Sequence, residues 1–109
     1  MAKYEVVIIG GGPAGLAAGL YTSRAGLKGL LIERGAFGGQ IVNAPLVENY
    51  PGFPEGISGS DLGSLMYQQA TKYGLETITA EVTGLALGRP YKIVTTERQD
   101  YRGESVQER

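Results

Sequence analysis

The sequence predicts an α/β fold: a Rossmann-like βαβ unit with a parallel sheet, followed by an antiparallel β-meander. Three observations carry that expectation. An apolar run at residues 6–9 leads straight into the glycine-rich turn Gly10-Gly11-Gly12-Pro13-Ala14-Gly15. A second apolar run, Leu30-Leu31-Ile32, closes on the acid Glu33. Beyond Gly74 the chain is β-prone and broken by turn residues.

Each element follows from its residues. Val6, Val7, Ile8 and Ile9 are β-branched and uniformly apolar, as a strand buried on both faces of a parallel sheet requires. Pro13 suits the first turn of a helix, where a missing N–H costs nothing. Residues 14–24 complete that helix and Gly26 ends it. Residues 30–33 form the second parallel strand, reached by a crossover connection.

Residues 35–60 change texture, with three prolines and many glycines in GAFGGQIVNAPLVENYPGFPEGISGS. Phe37, Ile41, Val42, Leu46, Val47, Tyr50 and Phe53 give this stretch enough apolar content to be an ordered, functional excursion. Ser60 is expected to cap the next helix, with Asp61 in its first turn. Leu62, Leu65, Met66, Ala70 and Tyr73 recur at helical spacing before Gly74. Strands are expected at residues 76–87 (interrupted near Gly84), 91–96 and 101–106, with turns at 88–90 and 98–100. The charge-rich stretch 97–109 is expected to fray at its end.

The glycine spacing carries the chemistry. Gly10 permits a tight turn after the strand, Gly12 lets backbone approach a pyrophosphate, and Gly15 allows close helix–strand packing. Phosphates then sit at the helix N-terminus, against free N–H groups and the positive dipole end. Glu33 would accept hydrogen bonds from a ribose diol and repel a 2′-phosphate, although Arg34 beside it, also a candidate contact, works against that repulsion. NAD and FAD share this ADP half, so the motif alone leaves both open. The long loop favours FAD, because a flavin needs extended backbone along its length. Gly38-Gly39-Gln40 offers close backbone approach, and Asn49 offers an amide, although an asparagine there equally suits the start of a turn.

Composition excludes other chemistry. Ten basic residues balance 11 acidic ones, so no basic surface recommends nucleic acid. Apolar runs of about five residues fall far short of a membrane span. A strand that begins almost at the N-terminus leaves no room for a signal peptide, and a cytoplasmic protein is expected. The sequence holds neither cysteine nor histidine, so thiol chemistry, imidazole catalysis and clustered metal ligands are not expected from it. Tyr21, Tyr67 and Tyr73 are read as packing residues, and Arg24 and Lys28 as solvated charge.

The segments GGGPAGLAAGLYTSRAGL and LLIERGAFGGQIVNAPLVENYPGFPEGISGSDL resemble the N-terminal flavin domain of low-molecular-weight thioredoxin reductases. The resemblance covers nearly the whole chain and is strongest through residue 75. It implies FAD contacts from Gly10, Gly12, Pro13, Ala14, Gly15, Glu33, Gly38, Gly39, Gln40 and Asn49, with Val82 meeting the adenine through its backbone. It also implies a parent that passes electrons from NADPH through FAD to a thioredoxin-like disulfide protein; a homodimer is expected because a missing half-domain would leave apolar sheet surface exposed. In that family the flavin domain is interrupted by an NADPH domain carrying a Cys-x-x-Cys pair, and the chain then returns to finish the FAD site. None of that is present in this sequence, so an incomplete domain without disulfide reductase activity of its own is expected. A ferredoxin (flavodoxin)–NADP reductase of similar fold and a free-standing nucleotide-binding module are the alternatives.

Overall fold

The computed structural model describes residues 1–88 and 90–108. Strand β1 (Ala2–Ile9) leads into helix α1 (Pro13–Arg24) and strand β2 (Gly29–Glu33). A 3₁₀ helix (Gly39–Asn43) and helix α2 (Gly59–Thr71) follow, then β3 (Glu76–Thr79), β4 (Val82–Ala86), β5 (Lys92–Thr96) and β6 (Asp100–Glu108). All six strands share one sheet in the order β3-β2-β1-β6-β5-β4. The four strands β3, β2, β1 and β6 run parallel, whereas β6, β5 and β4 are antiparallel. β6 is therefore the joint between the two halves, pairing with β1 along one side and β5 along the other.

The uniform apolarity of β1 and β2 is explained by burial on both faces. Val6, Ile8 and Leu31 join Leu16 of α1, Ala70 of α2 and Leu75 in one core cluster. Val7, Leu30 and Ile32 point the other way, into a cluster with Ala80, Val94 and Tyr101. Val94 on β5 is fully buried, so the meander supplies the second layer.

Four expectations are corrected. Ser58, not Ser60, caps α2, its Oγ accepting the Asp61 N–H at 3.1 Å. Docking sets that start: the Gly59 N–H donates to the Ala44 carbonyl at 2.9 Å. A Cβ on Gly59 would lie 1.6 Å from the Ile41 carbonyl oxygen, so only glycine fits at the contact. The run from residue 76 is two strands, and β3 joins the parallel sheet instead of the meander. The break falls at residues 80–81, where the Ala80 N–H turns to the Glu33 carbonyl at 3.0 Å. Gly84 marks only a register shift within β4. The charge-rich stretch forms strand β6 through Glu108, paired with β1 out to that residue and with β5 over residues 100–103, while Arg109 lies outside the described residues. Finally, Tyr67 does pack, its ring 4.9 Å from Phe37, but Tyr21 and Tyr73 are exposed. Tyr73 lies beside the Arg24 and Lys72 cations instead. The turn expected at 88–90 includes Arg89, outside the described residues.

The 35–60 excursion is ordered, as its apolar content implied. The 3₁₀ helix, the backbone pair Val47–Ile57 (2.7 and 3.0 Å) and the Gly59–Ala44 bond pin it at three places.

Candidate functional site

Parallel strands deliver their C-terminal ends to one edge of a sheet, and ligands bind in the crevice outside those ends. Here the loops after β1, β2 and β3 meet under the 3₁₀ helix and enclose a cavity of about 640 Å³. Gly10 and Gly12 line it from the first loop, Glu33, Arg34, Gly35 and Ala36 from the second, and Ala80, Glu81 and Val82 from the third. Gly39, Gln40, Val42 and Asn43 form the remaining wall.

The glycines do different things. Gly10 has φ +106°, a left-handed conformation that disfavours any side chain. A Cβ on Gly15 would sit 1.8 Å from the Gly10 carbonyl oxygen, so α1 could not pack onto the turn. Gly12 differs from both. Its φ of −76° suits any residue, and a Cβ there would meet no protein atom nearer than 4.0 Å. Protein packing does not require glycine at position 12. Gly12 itself lines the cavity.

The two helix N-termini are also unlike. Ser58 and Asp61 satisfy the start of α2. At α1 the cap is Gly12, with no side-chain hydrogen bond, Pro13 at the first position and no acid in the first turn. The unpaired N–H groups and positive dipole end of α1 are thus left for an anion. Glu33 faces this turn. Its Oε1 accepts the Gly11 N–H at 2.8 Å and its Oε2 the Gly35 N–H at 2.6 Å.

Of the residues singled out from sequence, Gly10, Gly12, Glu33, Arg34, Gly39, Gln40 and Val82 line the cavity. Pro13, Ala14 and Gly15 lie behind the turn in α1 and shape it. Gly38 holds the loop against the turn, its N–H donating to the Gly11 carbonyl at 2.8 Å. Asn49 is not brought to this cavity; it lines a second depression of about 340 Å³ with Glu48, Tyr50 and Phe53. Sequence does not single out Ile9, Ile32, Gly35, Ala36, Val42, Asn43, Ala80 or Glu81, which the cavity adds. Only Asn43, a polar residue in an apolar stretch, carried a usable signal. Among the described residues no group of His, Cys, Asp and Glu could hold a metal, and no helix is long and apolar enough to cross a membrane. Among the described residues, the one clearly perturbed titratable group, Tyr4, sits at the opposite end of β1 from the glycine turn.

Fold and cavity together define a dinucleotide-binding α/β unit. The family model described as "Pyridine nucleotide-disulphide oxidoreductase" matches residues 4–108, and the chain belongs to that family, whose members are FAD-binding flavoproteins. It is 46% identical over 103 residues to the thioredoxin reductase of Bacillus subtilis, covering 94% of this chain and 32% of that protein. Among solved structures, the thioredoxin reductase of Streptococcus pyogenes superposes with a TM-score of 0.94 at 41% identity, over 98% of this chain and 35% of that one. That of Lactococcus lactis gives 0.92 at 42% identity, over 96% and 34%. The chain thus spans about a third of the length of the relatives it matches. The residues present fit FAD: open space at Gly12, an uncapped α1 N-terminus and an acid beside the turn suit its ADP half.

Proposed function

We propose that this chain is the FAD-binding portion of a thioredoxin-reductase-like flavoprotein, which as a whole carries electrons from NADPH through FAD to a disulfide of a thioredoxin-like partner. The observation that carries the reading is the open space at Gly12, a glycine that the fold itself does not need. In this reading Gly10, Gly12, Pro13, Ala14 and Gly15 hold the pyrophosphate at the start of α1. Glu33 accepts the ribose hydroxyls, Arg34 flanks the cavity mouth, and the Val82 backbone meets the adenine. Gly38, Gly39 and Gln40 follow the ribityl portion, and Asn49, in the separate depression, would meet only a part of the flavin that extends beyond the cavity. When bound, FAD supplies two-electron exchange between a nicotinamide and a disulfide. This chain's residues bind and orient it. With no cysteine in the sequence, the redox disulfide would come from another part of the whole protein, to which this reading also assigns the NADPH-binding region and the rest of the FAD site. A cytoplasmic homodimer is the expected setting.

The test is a titration of the purified chain with FAD, followed by quenching of flavin fluorescence, with NAD as the competitor. Saturable FAD uptake that NAD displaces poorly supports the reading. Preference for NAD, or no uptake of FAD, overturns it.

A further inference from the structure

One residue touches all three loops that wall the cavity. The two Glu33 carboxylate oxygens accept the N–H groups of Gly11 and Gly35, at 2.8 and 2.6 Å. The Glu33 carbonyl accepts the Ala80 N–H at 3.0 Å. Gly11 is in turn gripped at both ends, because its own carbonyl accepts the Gly38 N–H at 2.8 Å. A Cβ on Gly11 would lie 2.8 Å from the Phe37 ring and 2.9 Å from the Glu33 Cβ, so the Glu33 side chain packs closely on the Gly11 backbone as well.

Three successive glycines are the most conformationally free turn a chain can write, and that freedom must be removed before their amides can face a ligand together. A carboxylate suits the task. It is an acceptor with about four lone-pair directions, so two backbone bonds leave others for a ligand diol. Bonds from N–H to an ionised acceptor are also stronger than neutral ones.

We propose that Glu33 is a positioning residue whose carboxylate fixes the glycine turn in its pyrophosphate-accepting shape before any ligand arrives. The proposal rests on reading the cavity as an FAD site. It goes further in giving the acid a role toward the phosphates as well as the ribose. The two roles predict opposite signs. An acid that serves only a ribose repels pyrophosphate, so neutralising it leaves pyrophosphate binding unchanged or tighter. An acid that shapes the turn makes pyrophosphate bind more weakly when it is lost.

The experiment compares the 109-residue chain with E33Q and E33A, all free of ligand. Amide hydrogen exchange at Gly11 and Gly35 is expected to quicken about tenfold in E33A and at one of the two in E33Q, whose amide group presents a donor to one N–H. Exchange at Val94, in the far layer, serves as the control for global stability. Inorganic pyrophosphate, titrated against the amide shifts of the glycine turn, is expected to bind several-fold more weakly to both variants. Unchanged exchange at both glycines, or pyrophosphate binding that is equal or tighter in E33Q, overturns the proposal. If E33A fails to fold, E33Q decides, and the exchange comparison stands whether or not pyrophosphate binds measurably. A wild-type chain that ignores FAD while E33Q still loosens Gly11 or Gly35 would remove the FAD reading and keep the clamp.

Discussion

The Cβ that Gly15 lacks would lie 1.8 Å from the carbonyl oxygen of Gly10, across the turn that joins β1 to α1. Backbone meets backbone there, so no side-chain rotation can relieve the overlap. The contact fixes how closely the first helix approaches the sheet, and hence where its N-terminus points.

Gly15→Ala is accordingly expected to destabilise the chain by ~2–4 kcal/mol, because a turn or a helix must move. Urea unfolding monitored by circular dichroism measures it, and a loss below about 1 kcal/mol would mean that the turn is softer than its geometry implies.

Gly12→Ala should behave in the opposite way. Its φ of −76° and its 4.0 Å clearance predict a stability change of less than about 1 kcal/mol, the alanine being only a poorer N-cap. FAD affinity should fall by at least about tenfold, since the new methyl occupies the ligand's path. Paired unfolding and fluorescence titrations separate the two effects.

Tyr4 provides a pH signature remote from the cavity. Burial first, then its hydrogen bond to Glu76 and the charges of Glu76 and Tyr101, hold its hydroxyl proton well above the ordinary tyrosine range. The native state therefore keeps a proton that the unfolded chain releases near pH 10. This contribution is intact below that pH and is lost as pH rises toward the native pKa, at up to about 1.4 kcal/mol per pH unit. Urea unfolding at pH 9 to 11 should show the decline, and Tyr4→Phe should flatten it.

Ser58→Ala removes the acceptor for the Asp61 N–H at the start of α2. A loss of about 1 kcal/mol is expected, with FAD affinity little changed, because this helix end lies outside the cavity lining. Thermal unfolding checks the first part and titration the second.

Local rules made much of the fold legible. The apolar runs at β1 and β2, Pro13 at the start of α1 and the acid after Ile32 specified a dinucleotide turn from spacing alone. Ser58 and Ser60 look alike as caps in sequence, and the choice was made by Gly59 docking on Ile41 and Ala44. β3 looked like meander because its residues are as β-prone as those of β4. Its partner, β2, lies more than forty residues earlier in sequence order as counted from Glu33 to Glu76. Ala80 and Glu81 entered the cavity through such long-range pairing, which no local pattern encodes.

By itself the sequence determined that a strand, a glycine turn, a helix and an acid would build one half of a nucleotide cradle, because backbone freedom and helix capping are properties of neighbouring residues. Tertiary structure alone decided which glycines the packing requires and which it leaves free. Gly10 and Gly15 are set by each other, Gly11 by Phe37 and Glu33, and Gly12 by none of them. That distinction depends on what stands opposite each missing Cβ, and only packing puts it there.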